Sequence, residues 1–121
     1  MEGLIKRGAK AIVCGGRGFK NAGYLNRQLS TFHAHTPIGL LIEGGAPGAD
    51  ELARNWAKTN NVPFKTYNAD WENFGRAAGP IRNKQMITEN SPEYCISFPG
   101  GKGTANMIKQ AESAGVCVIK F

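Results

Sequence analysis

The sequence predicts an α/β protein in which a five-stranded parallel sheet lies between two layers of helices. Three observations carry this expectation. Short runs that are apolar throughout, rather than at every second residue, recur along the chain, as strands covered on both faces require. Between them lie segments of helical periodicity, long enough for the right-handed crossovers that join parallel strands. Three of the runs close on a glycine pair just before a helix begins, at Gly15-Gly16, Gly44-Gly45 and Gly100-Gly101.

Lys10 to Cys14 reads as the first strand, closed by Gly15-Gly16-Arg17-Gly18-Phe19. A helix starts from Asn21, with Tyr24, Leu25, Leu29 and Phe32 along one stripe, and ends by Thr36-Pro37. His33 and His35, at its end, read as surface residues on the opposite edge from the glycine turns. Ile38 to Ile42 form the second strand, closed by Glu43-Gly44-Gly45-Ala46-Pro47-Gly48. Ala49, Leu52, Ala53, Trp56 and Ala57 then recur at helical spacing, opposite Asp50, Glu51, Arg54 and Lys58. Asn60-Asn61-Val62-Pro63 ends that helix, and Phe64 to Asn68 read as the third strand. Asp70 to Pro80 reads as a long irregular loop, with Pro80 suited to the first turn of a helix through Arg82, Met86 and Ile87. Asn90-Ser91-Pro92 stops it. Tyr94 to Phe98 make the fourth strand, Pro99 to Gly103 a turn, and Thr104 to Ala111 the last of four helices, with Ala114-Gly115 as its stop. Val116 to Ile119 make the fifth strand. At 121 residues, one domain spanning 1–121 is expected.

Composition narrows the function classes. No apolar run is long enough to cross a membrane, and Met1 to Arg7 lack the apolar stretch of a leader, so the expected location is cytoplasmic. Three cysteines, Cys14, Cys95 and Cys117, fall in expected strands without metal-ligand spacing and read as reduced, buried thiols. No histidine is placed to activate one of them, and no metal is expected. The formal charge of +6 is spread out, with Lys6, Arg7 and Lys10 near the start and Arg17, Arg76, Arg82 and Lys102 at or near loops. Basic residues gathered at loops suit one small anionic ligand better than a nucleic-acid track.

In an all-parallel sheet the strand-to-helix loops emerge at the carboxyl edge, where ligands bind. Backbone amides from Gly100 to Thr104 can take a phosphate or diphosphate, helped by the helix dipole, by Lys102 and by the Thr104 hydroxyl. Arg17 and Arg82 can pair with phosphate oxygens bidentately. Glu43 or Asp50 can accept from ribose hydroxyls, although an acid in a helix first turn, as Asp50 is, is stabilising without any ligand. Trp71 or Phe74 can stack on a base or anchor the long loop, and Asp70 stands beside them. Pro99 and Gly48 complete the expected ligand-binding set. Met86 and Met107 read as core. The turns are neither a P-loop nor a G-x-G-x-x-G fingerprint.

The segments CGGRGF, EGGAPGADELARNWA, DWENFGRAAGPIRNKQM and FPGGKGT, taken together and in this order, resemble the SLOG superfamily, in particular its small stand-alone branch related to the YspA proteins of bacteria and phages. The resemblance runs from about Ala11 to Val118. It implies a Rossmann-like three-layer fold with strand order 3-2-1-4-5, a nucleotide or ADP-ribose-type ligand derived from NAD, and self-association as a homodimer. The superfamily includes the Lonely Guy phosphoribohydrolases, whose PGGxGTxxE motif ends in a catalytic glutamate. Here that position is Met107, a thioether that cannot act as acid or base, so no catalytic residue is assigned and the balance is against an enzyme. The leading expectation is a protein that binds, senses or sequesters a nucleotide signal, with an anti-defence role in the host cytoplasm if the chain is phage-encoded. Two alternatives stand beside it. One is N-glycoside or phosphoribose hydrolysis with a carboxylate relocated to Glu43, Asp50, Asp70 or Glu72; the other is single-stranded nucleic-acid binding, by analogy with a DNA-processing relative.

Overall fold

The computed structural model describes residues 8–121, and the readings made on Met1 to Arg7, including Lys6 and Arg7, lie outside them. In chain order the elements are β1 (Ala9–Cys14), α1 (Ala22–His35), β2 (Ile38–Glu43), α2 (Ala49–Thr59), β3 (Phe64–Thr66), α3 (Trp71–Phe74), a 3-10 turn (Gly75–Ala77), α4 (Ala78–Asn90), β4 (Tyr94–Ser97), α5 (Lys102–Ser113) and β5 (Cys117–Lys120). All strand pairs are parallel, in the order β3-β2-β1-β4-β5, with Ile12 opposite Ile42 on one side and Val13 opposite Ile96 on the other.

The continuous apolarity of β1 follows from its central place. Ala11 and Val13 face a cluster built with Leu25 and Leu29 of α1 and with Ala53 and Trp56 of α2. Ile12 and Cys14 face the other side, against Met86 of α4 and Met107 and Ala111 of α5. Each fully buried Leu or Ile contributes roughly 1.5–3 kcal/mol. The chain therefore lays α1 and α2 on one face, and α4 and α5 on the other.

Four expectations need correction. Asp70 to Pro80 is not irregular. Asp70 caps α3 by accepting the Asn73 N–H at 3.2 Å, Gly75 ends that turn at a φ of +53°, and α4 begins at Ala78, two residues before Pro80. Local capping bonds, which leave no hydrophobic period, build this segment and add a fifth helix. The third strand stops at Thr66 rather than Asn68. Cys117 is exposed, because β5 is an edge strand, while Cys14 and Cys95 are buried with their sulfurs 3.9 Å apart. His33 is no simple surface residue: its Nδ1 accepts the Ile38 N–H at 2.9 Å and its ring meets Trp56 edge-on at 5.5 Å, fastening the α1–β2 connection. His35 remains exposed.

Candidate functional site

β1 and β4 are neighbours whose following helices leave toward opposite faces, so a crevice opens between their carboxyl ends. Three backbone corners converge there. The Gly16 N–H donates to the Pro99 carbonyl at 2.8 Å, and the Ala49 N–H donates to the Gly16 carbonyl at 3.1 Å. A Cβ on Gly16 would lie 3.1 Å from the Gly100 Cα. Gly48, at a φ of +79°, presses so closely that a Cβ would come within 2.2 Å of the Gly16 oxygen. Glycine is needed here for the approach and, at Gly48, for the dihedral.

The crevice holds a cavity of about 300 Å³. The first loop contributes Gly15, Gly16 and Arg17, and the second contributes Gly44 and Ala46. Asp50 enters from α2, and Arg82, Asn83 and Met86 from α4. Gly101, Lys102, Gly103, Thr104 and Met107 come from α5 and its approach. Val13 and Cys14 complete the floor. The structure thus brings together most of the residues expected from sequence and leaves Glu43, Gly45, Gly48, Asp70, Trp71, Pro99 and Gly100 off the lining.

Each of these has a physical reason. Glu43 is wholly buried: its Oε1 accepts the Gly45 N–H at 2.7 Å, its Oε2 accepts the Thr66 hydroxyl, and Arg54 Nη1 lies 3.5 Å away. It closes its own corner, with both carboxylate oxygens engaged by the protein. Gly45, at a φ of +72°, packs beside Asn68, and Gly48 beside the first loop. Asp70 is engaged with Asn73. Pro99 and Gly100 line an adjoining shallow groove beside Phe98 and Phe121, which shares Gly101 and Thr104 with the cavity. Trp71 sits at the rim, where the Arg17 guanidinium lies over its ring at 5.6 Å from the centroid.

The charges inside are uneven. Arg82 is held by its Nη1 bonds to the Gly44 and Tyr67 carbonyls and by Nε to Asn83 Oδ1 at 2.9 Å. Burial lowers its pKa and Asp50 opposes that, but a guanidinium keeps its charge in proteins. Asp50 is buried, accepts the Ala46 N–H at 3.2 Å, and has its pKa pushed up from 3.8 to about 6, chiefly by burial. The nearby Ala46 N–H and Arg82 pull the other way, and Glu43 adds to the rise. At the opposite wall α5 has Gly101 as its N-cap residue, with no side-chain cap and no acid in its first turn. The amides of Lys102, Gly103 and Thr104 thus have no intrahelical acceptor. Nothing lies within 4 Å of where a Cβ on Gly101 or Gly103 would stand, so these positions are open to an incoming group. The Cys14 thiol, by contrast, is kept protonated by its contact with Cys95 and by burial.

Sequence reasoning missed Asn83, which is buried and ties α4 to α5 through Asn106 Oδ1 at 3.1 Å and the Gly103 carbonyl at 3.4 Å. An asparagine in a helix interior, where its propensity is poor, was the available signal. Met86 and Met107, expected as core, are buried and also floor the cavity.

The sequence model of the YspA, cpYpsA-related SLOG family matches residues 9–74. The Gene 61 protein of Mycobacterium phage D29 is 33% identical over 120 residues, spanning 93% of this chain and 95% of that protein. The chain belongs to this SLOG family. The SLOG match ends at α3 and so does not include the open turn before α5. Among solved structures, DNA processing protein A (DprA) from Streptococcus pneumoniae aligns with 93% of this chain at a TM-score of 0.72 and 15% identity. The likeness shows a shared fold, and the chain spans 50% of that protein's solved chain. SLOG membership points to a nucleotide- or nucleic-acid-related function. Among the described residues, no helix is long and apolar enough to cross a membrane.

Proposed function

We propose that this SLOG protein binds a small nucleotide or ADP-ribose-type ligand, with a phosphate seated on the first-turn amides of α5. The observation that carries the reading is the contrast between two helix starts that share one cavity. The corner leading into α2 has built-in anions, with Glu43 on the Gly45 amide and Asp50 on the Ala46 amide. The start of α5 has none, and Arg17, Arg82 and Lys102 line the same cavity. An anion from outside supplies what the chain itself supplies at the other corner. A cavity of about 300 Å³ suits a nucleotide-sized guest. Relatedness to a phage protein over nearly the whole length fits sequestration of a nucleotide signal inside an infected cell.

A thermal-shift screen with ADP-ribose, NAD, cyclic derivatives and nucleoside monophosphates tests this. A ligand at 100-fold its Kd stabilises by about 2.7 kcal/mol, which raises the midpoint by on the order of 10 °C. No shift from any of them at millimolar concentration overturns the reading.

One observation favours a second reading, hydrolysis of a nucleotide N-glycosidic bond. Of the carboxylates open to that role, Asp50 lines the cavity, and its pKa of about 6 suits proton transfer near neutrality. Chromatography after long incubation with nucleoside monophosphates separates the two readings: free base supports hydrolysis, and intact ligand supports binding alone.

A further inference from the structure

A phosphate seated at α5, on which the present inference rests, leaves the remainder of the ligand unassigned. Among the described residues the large apolar side chains left exposed are Trp71, Phe74 and Ile81, all from α3 and the start of α4. α3 buries none of its residues. It is held by polar groups instead: Asp70 takes the Asn73 N–H at 3.2 Å and the Asn73 side-chain amide at 2.7 Å. This turn displays Trp71 and Phe74, each about half exposed, as an apolar patch.

The edge of the Trp71 ring rests on Gly79, where a Cβ would come to 3.3 Å, and this fixes the ring against α4. Arg17 lies over the ring and also lines the anion cavity, so Trp71 adjoins the cavity through Arg17. Asp70, the cap of α3, and Asn73 bond to each other, and Glu72 is the further exposed polar side chain of this turn.

We propose that Trp71 forms a stacking platform for the aromatic base of the nucleotide whose phosphate sits at α5, so that the site selects a nucleotide for having a base rather than for which base it has. Every nucleobase offers a π face, and stacking on an aromatic side chain tolerates sequence and substituent. Purines, with the larger face, bind better than pyrimidines.

The test uses intrinsic fluorescence, because the sequence has two tryptophans and Trp56 is buried, 3% exposed, while Trp71 is open. The full chain is titrated with AMP, GMP and ribose 5-phosphate. AMP and GMP are expected to quench emission and to bind about tenfold more tightly than ribose 5-phosphate. Trp71→Ala is expected to remove that advantage, and Trp71→Phe to keep most of it. Equal binding of AMP and ribose 5-phosphate by the unaltered protein overturns the platform and leaves the phosphate seat standing. An equal loss for both ligands in Trp71→Ala overturns it too, assigning the ring to the positioning of Arg17. No binding of either, with ADP-ribose also silent, removes the seat and the platform together. Quenching by a single-stranded oligonucleotide that AMP does not compete gives the rim to nucleic acid, and again overturns it.

Discussion

After β2 the chain turns on Gly44-Gly45, and after β4 it turns on Gly100-Gly101, and the space beside each pair is used differently. A Cβ on Gly44 would meet Arg82 Nη1 at 2.5 Å, and one on Gly45 would meet Asn68 Oδ1 at 2.2 Å. Both are small so that the protein's own side chains can fit. Gly100 behaves likewise, with the Thr104 hydroxyl 2.1 Å from where its Cβ would stand, but Gly101 faces open space. The first corner also carries its own carboxylates, Glu43 and Asp50, on its amides, and the second carries no acid. A glycine pair therefore marks close approach in general, and the neighbours decide whether the approaching group belongs to the protein or to a ligand.

Gly48→Ala is expected to have the largest effect, since the corner before α2 is closed by the protein itself. The new methyl would fall on the Gly16 oxygen at a positive φ. It is expected to cost about 3 kcal/mol or more and to lower the melting midpoint by on the order of 15 °C. A midpoint that does not move means that the corners are not pressed together.

Asp50→Asn probes the built-in anion. The folded pKa of about 6 lies above the ordinary 3.8, so the folded protein holds the Asp50 proton more tightly than the unfolded chain does. That contribution is complete below the ordinary value and is lost as pH rises through the folded one. Above it, the ionised carboxylate stays buried at a cost. Asp50→Asn is expected to stabilise the ligand-free protein by about 1–2 kcal/mol at pH 8 and to leave it unchanged at about pH 4, read by denaturation at both. Sulfate, whose charge is constant over this range, should bind the unaltered protein less well as Asp50 ionises and the variant equally throughout. A stability gain that is the same at every pH contradicts the titration.

Gly101→Asp has the smallest effect on stability and the clearest on binding. A carboxylate at the N-cap of α5 would supply the missing cap and gain about 0.5–1 kcal/mol, while occupying the phosphate seat. The midpoint of the free protein is expected to rise by a few degrees and the ligand-induced shift to vanish. A variant that still responds to ligand places the phosphate elsewhere.

Much of the fold was legible because its signals are local. The apolar runs at β1, β2 and β4, the stripe of α2 from Ala49 to Ala57, and the glycine closures each follow from burial or from dihedral freedom near one point in the chain. α3 was illegible because a cap by Asp70, not a periodic face, makes it. The expectation that Cys117 is buried failed because apolar neighbours do not tell an edge strand from a central one.

For the candidate site, chain order and residue type were enough to place three glycine corners on one edge, since a parallel sheet sends each strand-to-helix loop there. They could not distinguish Glu43 from Asp50, two acids at the same corner. Glu43 turns inward to Thr66 and Arg54, and Asp50 faces the cavity. Which amides stay free was likewise decided by tertiary packing, because Asn68, Arg82 and Asn83, which fill or frame the corners, arrive from elements distant in the chain. Periodicity and turn chemistry act over a few residues, whereas the filling of a cavity depends on side chains that meet only once the crossovers are complete.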